Sequence, residues 1–476
     1  MSRYLPTIGL EIHSQLATKT KIFCGCSTEF GSDPNTHSCP VCLGMPGVLP
    51  VLNHDAVELA LRLALRLEGT IQHKSYFARK NYFYPDLPKG YQISMFEFPL
   101  IRGGHLDVDT DRGTKAIRIN RIHLEEDAGK LIHEEGQTGS LFDVNRCGVP
   151  LVEIVTEPDF ETIDEISQFL NKLKEILIFS GVSHGNMEEG NIRVDTNISL
   201  RPEGQDELGT RTEIKNMNSF MNVATGVTIE IERQTDVLES GGTIVQETLL
   251  YDAVSDRIST MRSKEEAHDY RYFPEPDLVP VFVDDAWIER IRDELPELRD
   301  ELISQFQHAY GIPDYDTEIL TSSPSIAHYY TAVVEAGADP KKASNWVMGE
   351  VLRILNETQL DPSEFKVRPP MLASLLAMIG RGTISGSIGK TVFDEMAKTG
   401  DSPEKIVAEK GLTQISDKGE LERIVREVIE ANPGETEMFR AGKKKLLGFF
   451  VGQVMKATGG KANPREVNAI LQELLT

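Results

Sequence analysis

Residues 116–130 carry the densest chemistry in this 476-residue chain. Ile117 and Ile119 alternate with polar residues, as in a half-buried strand, and Ile122 and Leu124 resume the pattern after a phase slip at Asn120 and Arg121. Such a slip predicts a β-bulge. It leaves His123 and Glu125 on the opposite face, followed at once by Glu126, Asp127 and a turn at Gly129. Clustered carboxylates suit Mg²⁺, which binds through one or two of them and keeps waters and phosphate oxygens as its other ligands. A solvated acidic turn would read the same way in isolation. The repetition of the pattern near the N-terminus argues for the metal. Ile8, Leu10 and Ile12 share one face of an alternating segment, so Glu11 and His13 share the other. Two strands that each present a His and a Glu can converge on one cation, which makes Glu11, His13 and Glu125 the expected ligands, with Glu126 and Asp127 as weaker nucleotide-site candidates.

A second metal motif follows the first segment. Cys24 and Cys26, then twelve residues, then Cys39 and Cys42 have the spacing of a Cys₄ zinc knuckle. A site closed by four thiolates has no open position, so it would be structural. Two pairs of reduced, partly buried thiols are the alternative.

Residues 79–90 combine Arg79, Lys80 and Lys89 with three aromatic residues and two prolines. The prolines exclude a helix interior. A stiff loop of this composition suits phosphate or sugar contacts, and Lys80 and Lys89 are candidates for charge stabilisation of a transferring phosphoryl group. Arg79 is a candidate nucleotide contact. An aromatic-anchored surface loop is the other reading.

The elements that must position these groups are legible in outline. Residues 151–155 offer Glu153; residues 191–200 set Arg193, Asp195 and Asn197 against an apolar face; residues 211–215 offer Glu213 and Lys215. Helical stripes at 55–68 and 162–179 supply covers for the apolar side. A sheet with one face on helices and one charged face open is an α+β, antiparallel pattern. Residues 1–290 are expected to form a catalytic domain containing the zinc knuckle, 291–402 a helical domain and 403–476 a small helical tail. Residues 385–391 end like a P-loop, but the spacing is wrong and no strand precedes them.

The chain carries a formal charge of −24, which argues against a generic nucleic-acid binder unless positive charge is concentrated somewhere. It is: residues 440–465 hold Arg440, Lys443, Lys444, Lys445, Lys456, Lys461 and Arg465 and no acid. That patch, with glycine-rich turns, suits a nucleic-acid backbone, the alternative being a basic face packed on an acidic neighbour. There is no long apolar run and no targeting pattern, so a cytoplasmic protein with no membrane partner is expected.

Several blocks together resemble one family. They are GLEIHSQL (9–16), RKNYFYPDLPKGYQIS (79–94), IHLEEDAGK (122–130), DVNRCGVPLVEIVTEPD (143–159), NMEEGNIRVDTNISL (186–200), RTEIKNMNSF (211–220) and DYRYFPEPDL (269–278). The chain is similar along its whole length to the B subunit of the glutamyl/aspartyl-tRNA amidotransferase. The resemblance implies a cradle-shaped catalytic domain whose sheet resembles that of glutamine synthetase. It implies a carbon–nitrogen ligase with glutamine as amido donor, in which ATP phosphorylates the side-chain carboxylate of Glu-tRNA(Gln) or Asp-tRNA(Asn) and ammonia displaces the phosphate. It also implies that the basic tail grips the tRNA, and that some family members carry the zinc site while others lack it. No Ser-Ser-Lys amidase signature is present and Cys147 has no evident base, so ammonia must come from elsewhere. The family's glutaminase A subunit and small C subunit would supply it in a heterotrimer. Two rival classes remain open at this point: a glutamine-synthetase-like ligase acting on free amino acid, and a tRNA-binding scaffold without chemistry.

Overall fold

The computed structural model describes residues 4–133, 139–263, 270–413 and 418–475. It divides into two compact units, Met1–Leu298 and Arg299–Thr476.

The first unit is built on a sheet of thirteen strands among the described residues. Those used below are β1 (Tyr4–Gln15), β2 (Ala78–Asn81), β3 (Tyr91–Ser94), β4 (Ile101–Arg102), β5 (His105–Thr110), β6 (Gly113–Glu126), β7 (Pro150–Thr156), β8 (Ile192–Pro202), β9 (Thr212–Met217), β10 (Glu247–Asp252), β11 (Arg257–Ser263) and β12 (Phe273–Pro274). Their order is β11-β10-β9-β8-β1-β7-β6-β3-β2-β12, with β4 and β5 on β6. Every pairing along this path is antiparallel except β9 with β10. The unit is therefore α+β, with a large and mostly antiparallel sheet.

Period-two alternation decides the two faces. Ile8, Leu10 and Ile12 of β1 are at most 1 % exposed and enter one continuous core with Ile122, Leu124, Ile154, Val194 and Ile198. Full burial of one such side chain stabilises by roughly 1.5–3 kcal/mol, so a one-residue slip of β1 would be prohibitive. Three helices, α1 (His54–Arg66), α2 (Ile163–Phe179) and α3 (Phe220–Glu239), contribute to this core. Helix α2 starts where the sequence places it: Thr162 caps the amide of Glu165, whose carboxylate returns to the Thr162 amide. The phase slip in β6 is a register shift, because Val155 faces Arg121 while Thr156 faces Ile119. Asn120 is thereby left over on the longer strand.

The second unit is helical. The P-loop look-alike is a helix, Gly386–Thr399, capped by Ser385. A side chain at Gly389 would meet Ile379, so this glycine serves close packing of two helices. Ser402 caps the helix Pro403–Lys410. Residues 421–475 have their own core of Leu421, Val425, Phe439, Phe450, Val454, Val467, Ile470 and Leu471. Among the described residues no helix is long and apolar enough to cross a membrane.

Candidate active site

The face of the sheet opposite the helices is charged, and register aligns its residues in rows. Arg193, His13, Glu153 and His123 lie side by side across β8, β1, β7 and β6. Glu125, two residues on from His123, completes the group. His13 Nε2 is 3.4 Å from Glu125 Oε1 and 3.5 Å from Glu153 Oε2. His123 Nε2 is 3.3 Å from Glu153 Oε2 and 3.8 Å from Glu125 Oε2, and neither ring nitrogen of His123 makes a hydrogen bond.

Ligand atoms of His13, Glu125 and Glu153 lie within 4.8 Å of one another. Neighbouring ligands of an octahedral ion with bonds of 2.0–2.1 Å stand about 3 Å apart, so one nitrogen and two carboxylates at these separations fit a small hard cation. The electrostatics agree. Burial opposes charge on all three groups, yet the Glu153 and Glu125 carboxylates hold His13 above its ordinary pKa. Burial is likewise outweighed at His123, which rises to about 9 beside Glu153 and Glu125. The histidines in turn hold Glu125 and Glu153 below the usual carboxylate range, with Lys80 assisting at Glu125. Two carboxylates are thus kept ionised beside one another, as a bound cation requires, and His13 would give up its proton to ligate it.

Glu11 occupies the next row. Its carboxylate accepts from Asn197 Nδ2 at 3.0 Å, and burial, then Glu153 and Glu213, push its pKa up. It faces the cluster without belonging to its three-ligand core. Glu153 does belong, and sequence reading noted it only as a polar-face residue. The available signal was a lone carboxylate in the otherwise apolar stretch Leu151, Val152, Ile154, Val155.

The other candidates are distributed as follows. Glu126 accepts from Lys89 Nζ at 2.5 and 2.6 Å and from the Ile93 amide at 2.8 Å. Asp127 accepts from Arg193 and Gln15, each at 2.9 Å. Arg79 makes a bidentate pair with the buried Glu275, at 2.7 and 2.8 Å, and stacks 4.3 Å over Tyr91. Lys80 Nζ stands 5.0 Å over the Tyr270 ring. The Lys80 charge also helps to lower the Glu125 carboxyl.

Cys24, Cys26, Cys39 and Cys42 converge, their sulfurs all within 4.8 Å of one another. Cys39 and Cys42 sulfurs are 3.9 Å apart, close to the ~3.8 Å edge of a tetrahedron with 2.3 Å metal–sulfur bonds. In the free-thiol state, a hydrogen bond from Cys24 holds Cys42 down at about 4. Lys21, fully buried, donates to the His37 carbonyl at 2.6 Å and reaches Cys42 Sγ at 3.8 Å. Between this knuckle and the end of β6 lies a small cavity lined by Cys24, Cys42, Lys89 and Glu126. Cys147 is buried, which raises its thiol to about 12 and leaves it a poor nucleophile.

In the second unit Arg440, Lys443, Lys444, Lys445, Lys456 and Arg465 are exposed and Lys461 half-buried. None is paired with a carboxylate among the described residues; Lys444 lies 4.6 Å over the Phe439 ring.

Comparison with known proteins covers both units. The profile of the GatB/GatE catalytic domain matches residues 6–289, and that of the GatB domain matches residues 328–475. A protein of Syntrophotalea carbinolica is 54% identical over 475 residues, covering 100% of this chain and 99% of its own. One of Chlorobium phaeobacteroides is 55% identical over 472 residues, covering 99% of each chain. One of Caldanaerobacter subterraneus subsp. tengcongensis is 55% identical over 474 residues, covering 100% of each. All three are named as the B subunit of an aspartyl/glutamyl-tRNA(Asn/Gln) amidotransferase.

Proposed function

This chain belongs to the family of aspartyl/glutamyl-tRNA(Asn/Gln) amidotransferase B subunits, and from that premise we propose that it performs the ATP-dependent transamidation of Glu-tRNA(Gln), Asp-tRNA(Asn) or both. The observation that carries the reading is the row of His13, Glu153 and His123, closed by Glu125, on the open face of the sheet. That face would serve as a cradle of the glutamine synthetase kind.

A carboxylate is a poor acceptor for ammonia because oxide is a very poor leaving group. The reaction therefore begins with attack of the side-chain carboxylate oxygen on the γ-phosphorus of ATP. That step releases ADP and forms an acyl phosphate. Ammonia then adds to the acyl carbon, phosphate departs with the C–O electron pair, and loss of a proton leaves the amide. His13, Glu125 and Glu153 would hold Mg²⁺, with Glu11 beside them. When bound, Mg²⁺ supplies charge neutralisation to the transferring phosphoryl group. Lys80 adds a fixed positive charge over the same face. Catalysis then consists of aligning the carboxylate with the γ-phosphorus and neutralising equatorial charge.

The four cysteines would hold a structural Zn²⁺. The basic segment 440–465 would bind the tRNA. Ammonia would come from a glutaminase A subunit, with a small C subunit completing a heterotrimer, because the only cysteine outside the knuckle is buried and held as the thiol.

The test uses the chain purified with its partners, Glu-tRNA(Gln), Mg²⁺ and ammonium chloride, with Gln-tRNA followed with and without ATP. ATP-dependent product that is lost in Glu125→Ala places both chemical steps in this chain. No product with tRNA still bound reduces the chain to a docking platform.

A further inference from the structure

The strand beside the end of β6 carries a buried polar atom that nothing around it uses. Alternation splits β3 and its continuation as it does β1. Ile93 and Met95 enter the core, so Gln92, Ser94 and Phe96 point to the charged face. Each is matched to a different residue of β6. Gln92 Nε2 donates to the Glu126 carbonyl at 2.7 Å. Phe96 meets the His123 ring edge-on, with centroids 6.1 Å apart. Ser94, between them, is the register partner of Glu125. Gln92 and Phe96 make their contacts and Ser94 does not. It is 1 % exposed, and its hydroxyl makes no hydrogen bond among the described residues.

A buried hydroxyl without a partner is costly, because it has given up water and gained nothing in exchange. The acceptor that register sets opposite it is the Glu125 carboxylate. Directly opposed residues of an antiparallel pair have Cβ atoms about 4.5–5.5 Å apart, within reach of a serine hydroxyl and a glutamate oxygen. Glu125 is also the least firmly held of the three acids at the end of β6. Glu126 and Asp127 accept hydrogen bonds of 2.5 to 2.9 Å. The Glu125 oxygens stand 3.4 Å from His13 Nε2 and 3.8 Å from His123 Nε2, longer than a charge-assisted hydrogen bond of about 2.7–2.9 Å. A carboxylate that ligates a small hard cation through one oxygen leaves the other to be satisfied, and such outer oxygens are in turn hydrogen-bonded. The hydroxyl lacks an acceptor and the outer oxygen needs a donor.

We propose that Ser94 is a positioning residue for Glu125: its Oγ–H donates to the outer carboxylate oxygen and holds Glu125 in the one-oxygen mode in which it joins His13 and Glu153 on a divalent cation. The assignment deepens the function proposed above and rests on its reading of the cluster as a cation site. Ser94 acts through Glu125 and is not itself a ligand.

The test titrates Mn²⁺, a paramagnetic stand-in for Mg²⁺, into the full chain and follows the free ion by electron paramagnetic resonance. The site counted is the one that Glu153→Gln removes. Ser94→Ala should weaken that site by about tenfold to a hundredfold, the usual consequence of losing an outer partner of a metal ligand. The metal-free melting temperature should stay at the wild-type value or rise, because the orphaned hydroxyl is gone. Ser94→Thr, which keeps the hydroxyl, should bind Mn²⁺ as wild type does. In the amide-forming assay the Ser94→Ala defect should be recovered by raising Mg²⁺. Unchanged Mn²⁺ affinity in Ser94→Ala overturns the positioning role and leaves the cluster standing as a cation site. Equal weakening in Ser94→Ala and Ser94→Thr also overturns it, since the hydroxyl is then not what matters; if Ser94→Thr does not fold, Ser94→Ala decides alone. A wild type without any Mn²⁺ site sensitive to Glu153→Gln sinks the cation reading of the cluster, and the positioning role with it.

Discussion

Lys89 and Glu126 form a buried ion pair one residue away from Glu125, with Nζ 2.5 and 2.6 Å from the two carboxylate oxygens. The three consecutive acids at the end of β6 therefore have three different employments. Glu125 joins the cluster, Glu126 neutralises Lys89 and accepts from the Ile93 amide, and Asp127 neutralises Arg193. Both side chains of the Lys89–Glu126 pair are at least 92 % buried. Removing one partner from such a pair costs about 3–5 kcal/mol, because it strands the other charge. Lys89→Met should therefore lower the urea midpoint sharply, and Lys89→Met with Glu126→Gln should recover much of the loss. If Lys89 instead served the phosphoryl group directly, Lys89→Met would keep the midpoint and lose turnover alone.

Glu153 sits between the two histidines, so its removal should be as damaging as that of Glu125. Glu153→Gln keeps the shape and deletes the charge. We expect turnover to fall roughly 10²–10³-fold, the scale of losing one charge-stabilising group, with tRNA affinity within twofold of wild type. Turnover within threefold of wild type would remove Glu153 from the site.

The pattern of faces was readable from residues alone. Ile8, Leu10 and Ile12 announce β1, and the slip at Asn120 announces the bulge, because both are local consequences of period two. What period two does not encode is register. Nothing in residues 9–16 says that His13 will face Glu153, 140 positions later, rather than Val155 two residues on; hydrogen bonding between β1 and β7 decides that. Arg79 illustrates the converse. Its neighbours suggest a phosphate contact, and the partner that occupies it, Glu275, is 196 positions away. Arg121 entered the sequence reading only as half of the phase slip, and its packing over the ring of Phe96 depends on the folded sheet. The cysteine pairs were legible because short spacings constrain the geometry by themselves.

Lys21 is fully buried against the thiol cluster, where its ammonium compensates charge on Cys42 and ties the His37 and Val144 carbonyls to the knuckle. The purified chain should contain one zinc. Lys21→Met should weaken zinc affinity by about tenfold to a hundredfold, as outer partners of metal ligands commonly do, measured by competition with a chromogenic chelator. Unchanged affinity with a lowered melting temperature would make Lys21 a packing residue only.

Asp86 offers a pH-dependent reading of the loop over the end of β6. Burial raises its carboxyl above the ordinary value, and Oδ1 has no partner. A carboxyl whose folded pKa is raised favours the folded state most when protonated, below its unfolded pKa of 3.8, and that contribution is lost as pH rises through the folded value. Asp86→Asn, which carries no charge to desolvate, should therefore melt higher than wild type at pH 7.5. The advantage should shrink as pH is lowered toward 4. An advantage independent of pH would point to a new hydrogen bond of the amide instead.

The basic segment makes a prediction about salt. Lys443 and Lys445 are exposed, carry no acidic partner among the described residues and flank the start of the short turn Lys444–Leu446, outside the core of Leu421, Phe439 and Phe450. Reversing their charge should leave that core folded. If they neutralise tRNA phosphates, each does so with release of counterions, and log Kd depends on log salt with a slope that falls by about one for every phosphate no longer neutralised. Lys443→Glu with Lys445→Glu should thus raise the tRNA Kd most at low salt, flatten its salt dependence by about two, and leave zinc content and ATP affinity unchanged. A parallel shift of the whole salt curve would mean that the substitutions disturb the fold. An unmoved curve would place the tRNA on another surface.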